Sequence, residues 1–71
     1  MGAFEQRFRI AMARAGYRSV RELAKEIGMG SARLGEIRKG LLPPQERREA
    51  IAQALRVSPT DLWGEDHGAA A

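Results

Sequence analysis

Apolar residues recur at helical spacing along most of the chain. One apolar stripe between positions 3 and 15 is formed by Phe4, Phe8, Ala11, Met12 and Ala15. A repeat of three to four residues is typical of an amphipathic helix. Similar patterns predict helices over about 20–27, 31–39 and 44–56, with a short one after Ser58, whereas no run alternates with the period of a strand. We therefore predict an all-α domain with four full helices and a short fifth.

Small polar residues and prolines mark where these helices begin. The Ser19 side chain is expected to accept from a backbone N–H two or three residues later, with Glu22 completing a capping box. Pro44 is predicted as the first residue of the fourth helix. The sequence Ser58-Pro59-Thr60-Asp61 places a cap, a proline and an acid in the order that starts a helix.

Residues 19–40 contain two of the predicted helices, joined by the turn Gly28-Met29-Gly30. Gly28 stands where a helix end favours a left-handed residue. The small size of Ala24 and Gly28 is expected to let the two helices approach closely. A helix-turn-helix of this kind presents its second helix outward, in a form that fits a DNA major groove.

This segment resembles the helix-turn-helix of the lambda-repressor/Cro-like (XRE-type) family of DNA-binding regulators, and the resemblance extends from about Phe4 to Trp63. It is carried by Leu23, Ala24, Ile27, Gly28, Met29, Gly30, Leu34 and Ile37, and then by Ala52, Ala54, Leu55, Val57, Ser58 and Leu62. It implies a compact four-to-five-helix domain, a repressor of the phage or prophage type that binds an inverted-repeat operator as a dimer. Val20 departs from the family, which often has a DNA-contacting glutamine there, and Gln45 and Arg48 stand at positions that are usually apolar.

Composition limits the other possibilities. Twelve Lys and Arg against nine Asp and Glu give a net charge of +3, which favours a polyanion such as DNA but also suits simple solubility. The absence of cysteine excludes disulfides and thiolate metal sites and suits the cytoplasm, where we expect the protein on the nucleoid. No apolar run reaches the ~18–20 residues of a membrane span, so no membrane association is expected. We predict one DNA-binding domain over 1–64 and a loose tail over 65–71.

The third helix carries the predicted base contacts. With Leu34 and Ile37 facing the core, Ser31, Ala32, Arg33 and Glu36 are expected at the DNA. Arg33 can donate twice to guanine, Glu36 can accept from cytosine N4, and Ala32 can contact a thymine methyl group. Alternatively, Arg33 and Glu36 form a solvated pair three residues apart.

Phosphate contacts are predicted around that helix, from the start of the second helix, the end of the third and the start of the fourth. The predicted residues are Arg18, Ser19, Arg21, Arg38, Lys39, Gln45, Arg47 and Arg48. An arginine at the start of a helix opposes the helix dipole, which suggests a phosphate partner for Arg48. The alternative is a solvated helix end, with Glu46 and Glu49 as local partners.

The remaining predictions concern assembly and chemistry. Leu41, Leu62 and Trp63 are candidates for a homodimer interface, although Trp63 also suits the core. Neither catalysis nor a cofactor, metal or small-molecule ligand is expected, since the single histidine, His67, lies in the predicted tail. The alternative function is a protein-interaction module or antitoxin-type regulator that uses the same fold to bind a protein partner.

Overall fold

The computed structural model describes residues 2–64, so Met1, the predicted tail 65–71 and His67 lie outside the described residues. This part of the chain forms five helices and no strand. The helices are α1 (Ala3–Ala15), α2 (Val20–Ile27), α3 (Ser31–Lys39), α4 (Gln45–Leu55) and α5 (Pro59–Trp63). The all-α prediction is confirmed. No helix among residues 2–64 is long and apolar enough to cross a membrane.

The predicted helix starts are confirmed at Ser19 and Ser58, with one difference in detail. The Ser19 hydroxyl accepts from the Glu22 backbone N–H at 3.2 Å. The Glu22 carboxylate, however, accepts from the N–H of Arg18 at 2.7 Å, so the reciprocal bond reaches one residue further back than a capping box requires. The complete box occurs at Ser58, whose hydroxyl and backbone N–H both bond to Asp61.

The fourth helix is shorter than predicted at both ends. Pro44 has an extended backbone, with ψ at 160°, and therefore caps α4 instead of forming its first residue. The helix ends at Leu55 because Arg56 adopts a left-handed conformation, with φ at 61° and ψ at 37°. A left-handed arginine is unusual, since its Cβ crowds the backbone where glycine has none.

The core gathers apolar side chains from all five helices. Its largest fully buried members are Phe8, Leu23, Leu34, Ile37, Ile51 and Leu62. Trp63 closes one side of this core, with only 6% of its surface exposed and its ring centroid 5.7 Å from that of Phe4. The short α5 is thereby held against α1 and α4, which compensates for its low intrinsic stability as an isolated turn.

The two helices and the turn between them form at the predicted positions, and one of the two roles predicted for Gly28 is confirmed. Gly28 ends α2 with φ at 70° and ψ at 39°, the left-handed conformation that glycine adopts most readily. A Cβ built at Gly28 meets no atom within 4 Å. The glycine is therefore required by backbone conformation rather than by close approach of α2 to α3.

Candidate nucleic-acid interface

The third helix exposes the four residues that the sequence predicts at the DNA bases. Leu34 and Ile37 are buried and fix α3 to the core. The opposite surface of α3 carries the exposed side chains of Ser31, Ala32, Arg33, Glu36 and Lys39. A helix anchored along one side and exposed along the other is the form in which a recognition helix is presented to a major groove.

Arg33 and Glu36 do form the local ion pair that was the alternative interpretation, but it is a loose one. The guanidinium Nη1 of Arg33 lies 4.0 Å from the carboxylate of Glu36, and the side chains are 67% and 63% exposed. Exposed pairs of this kind contribute only about 0–1 kcal/mol. Both side chains can therefore exchange this contact for a base edge at little cost.

One side of α3 faces the start of α4 across an open cavity of about 430 Å³, which we call the α3–α4 cavity. Arg33 and Arg47 both line it, together with the turn at Met29 and the loop residues Leu41 and Leu42. The two guanidinium groups thus give this side of α3 a positive charge. Gln45, also predicted to contact phosphate, is exposed at the first position of α4.

Arg48 has a partner within its own chain. Its Nη1 donates to the Pro43 carbonyl at 2.7 Å and is partly buried there. This bond fixes the loop before α4 and explains why a cation stands at the start of a helix despite the dipole. The helix dipole therefore no longer argues for a phosphate partner of Arg48. Its neighbour Arg47 lines the α3–α4 cavity.

Arg38 is also held by its own chain rather than presented on the α3 surface. Its Nη1 lies 2.6 Å from the Glu5 carboxylate, and the two side chains are 26% and 21% exposed. The pair joins the end of α3 to the beginning of α1 across 33 positions of sequence. Arg38 therefore has a structural role in joining α3 to α1, and its phosphate contact stays a prediction.

The predicted phosphate contacts Arg18, Ser19 and Arg21 are exposed around the start of α2. A second open cavity, of about 380 Å³, lies between α1, the start of α2 and Arg38; we call it the α1–α2 cavity. Arg9 also lines this cavity, a residue that the sequence analysis did not select. The available signal was its position off the apolar stripe of α1.

The predicted dimer residues separate into two groups. Leu62 and Trp63 are 2% and 6% exposed, so both serve the core of the chain rather than an accessible pairing surface. Leu41 is exposed, and so is the adjacent Leu42, which the sequence analysis did not select. The loop between α3 and α4 is thus the exposed apolar part of this region.

Comparison of the chain with family models, with curated proteins and with solved structures found no match. Within residues 2–64, no group of three or more His, Cys, Asp or Glu side chains is arranged to hold a metal ion. The functional interpretation consequently depends on the geometry around α3.

Proposed function

We propose that the protein is a sequence-specific DNA-binding regulator with a lambda-repressor/Cro-like fold. In this proposal α3 enters the major groove and the flanking basic residues bind the phosphate backbone. The protein acts as a repressor of the phage or prophage type, on DNA in the cytoplasm, by occluding polymerase from an inverted-repeat operator.

The observation that carries the proposal is the exposed surface of α3 together with arginines in the two cavities that residues of α3 line. Arg33 and Arg47 line the α3–α4 cavity. Arg9 and Arg18 line the α1–α2 cavity, as does Arg38 at the end of α3. Recognition helices in the major groove lie between two phosphate backbones, so a protein needs positive charge beside the helix to bind them.

In this proposal, one set of residues contacts base edges and another contacts phosphates. Ser31, Ala32, Arg33 and Glu36 contact base edges, with Arg33 on guanine and Glu36 on cytosine. The phosphate contacts come from the exposed residues Arg18, Ser19, Arg21, Lys39 and Gln45 and from the half-buried Arg47, which lines the α3–α4 cavity. Phosphate contacts fix the position of α3 but carry no sequence information.

Dimerisation is part of the proposal because one recognition helix reads only a few base pairs. The exposed Leu41 and Leu42 form the apolar contact between two copies. Two copies together can read two half-sites, which lie ~34 Å apart in successive major grooves on one face of DNA. Analytical ultracentrifugation of the Leu41→Ser and Leu42→Ser variants, with Ile10→Ser as the exposed apolar control, tests this contact.

The test of DNA binding is a fluorescence anisotropy titration of a labelled random-sequence duplex over a range of salt concentrations. The logarithm of the association constant should fall linearly with the logarithm of salt, with a slope near −0.9 for each phosphate contacted. Arg47→Gln should reduce the slope, whereas Arg56→Gln should not, because Arg56 follows the far end of α4, about 16 Å from its start.

The alternative is a protein-interaction module with the same fold. In that case the folded chain would bind duplex weakly even at low salt, and Arg47→Gln and Arg56→Gln would have the same small effect. Equal effects would therefore contradict the DNA-binding proposal.

A further inference from the structure

The α1–α2 cavity brings three arginines from different parts of the chain to one place. Arg9 comes from the middle of α1, Arg18 from the loop before α2, and Arg38 from the end of α3. Among residues 2–64, its lining includes no carboxylate. The three guanidinium groups surround an open space of about 380 Å³, and with Arg38 paired to Glu5 they still favour an anion there.

Arg38 is held in place within this cluster and, within the described residues, has one donor without a partner. Its Nη1 is bound to Glu5, but its Nε is buried and has no hydrogen-bond partner in the described part of the chain. A buried donor without an acceptor costs about 1–3 kcal/mol, and such groups are usually paired with protein, water or an ion. The guanidinium is thus fixed by Glu5 on one edge and lacks an acceptor on another.

We propose that the α1–α2 cavity is a binding site for a phosphate group, held by Arg9 and Arg18 and positioned by the fixed Arg38. Guanidinium groups suit phosphate because their planar N–H donors pair with two oxygens at once. The acid nearest to Arg38 is already neutralised by its ion pair, and Glu22 is engaged with the backbone N–H of Arg18.

The phosphate can come from a DNA backbone or from a free anion, and the chemistry is the same. Its identity as a backbone phosphate rests on the proposed function, in which Arg18 contacts the DNA backbone. The existence of the site does not rest on it, because free phosphate would use the same donors.

The first experiment measures the melting temperature with and without inorganic phosphate, at constant ionic strength. Phosphate should raise the melting temperature of the wild-type protein and of Arg14→Gln, an exposed arginine of α1 that does not line the cavity. The rise should be lost in Arg9→Gln and in Arg18→Gln. In a proton–nitrogen spectrum of the wild type, phosphate should also shift the Nε–H resonance of Arg38.

Two results would overturn the proposal: no effect of phosphate on the wild-type protein, or an equal rise in all four proteins. A rise that depends on Arg9 and Arg18 supports it, and the source of the phosphate is then decided with duplex DNA. In the salt titration, a slope reduced by about one in Arg9→Gln but not in Arg56→Gln identifies a backbone phosphate. An unchanged slope, or no DNA binding at all, identifies a site for a free anion. The phosphate site is then supported, and the proposed contact with DNA at this site is not.

Discussion

Arg33 and Arg38 stand five positions apart on the same helix and are used in opposite ways. Arg38 is held 2.6 Å from Glu5 in a pair that is about three-quarters buried. Arg33 lies 4.0 Å from Glu36 in a pair that is about two-thirds exposed. One arginine joins α3 to α1, and the other stays exposed on α3, where the proposed function places a groove of DNA.

Under the proposed function, the positive charge of this chain has two uses, which burial and pairing separate. Arg48 resembles Arg38 in this respect, because its guanidinium donates a hydrogen bond to the Pro43 carbonyl within the same chain. Its neighbour Arg47 repeats the pattern of Arg33 and lines the open α3–α4 cavity. Arginines held by the fold should affect stability when removed, and arginines on the open surface should affect binding.

The largest effect is expected from Arg38→Ala, which leaves the Glu5 carboxylate partly buried without its partner. We expect it to lower the free energy of unfolding by about 2–3 kcal/mol. Urea denaturation followed by circular dichroism measures this, with Arg33→Ala as the matched control, expected within about 0.5 kcal/mol of wild type. Equal losses in the two variants would remove the distinction between them.

Arg33→Ala should act on binding instead. We expect specific DNA binding to weaken by about 1–3 kcal/mol and the preference at one base pair of each half-site to relax, because a bidentate guanine contact is lost. Competition titrations with specific and random duplexes measure both quantities. An equal loss on both duplexes would make Arg33 a phosphate contact only.

Arg47 and Arg48 provide the same contrast on adjacent residues of α4. Arg47→Ala should reduce the salt slope of DNA binding by about one per monomer with little change in stability. Arg48→Ala should leave the slope unchanged and lower the free energy of unfolding by about 1.5 kcal/mol, since its bond to Pro43 is lost. A reduced slope for Arg48→Ala would return that residue to the DNA interface.

The smallest effect concerns Gly35 within α3. A Cβ at this position meets no atom within 4 Å, so Gly35→Ala should stabilise the protein by about 0.5–1 kcal/mol. The added methyl group would still occupy space beside Ser31 and Ala32, and we expect specific DNA binding to weaken. Thermal denaturation and a binding titration test the two effects separately. Stabilisation with unchanged affinity would exclude a close approach of DNA at Gly35.

The helix boundaries were predictable because their causes are local. Ser19 and Ser58 bond to backbone groups three residues away, and Gly28 is selected by the conformation of one residue. The all-α architecture follows from the same short-range patterns. The fourth helix is the exception: Pro44 caps it instead of being its first residue, and nothing in the sequence around Arg56 predicts a left-handed arginine at its end.

The uses of individual side chains were less predictable because their partners are distant in sequence. Glu5 and Arg38 meet across 33 positions, and no spacing rule connects them. Trp63 was assigned to either a dimer or the core, and its place against Phe4 depends on how α5 packs on α1. Exposed positions on α3 were easier, since Leu34 and Ile37 fix which side of that helix is buried.

The most direct test of the central claim is selection of bound duplexes from a randomised DNA pool by the wild-type protein and by Arg33→Ala. We expect the wild type to enrich two inverted half-sites whose centres lie about 10 base pairs apart, with a fixed guanine in each. Arg33→Ala should retain the spacing and lose that guanine. A folded wild-type protein that enriches no sequence would contradict the assignment of α3 as a recognition helix.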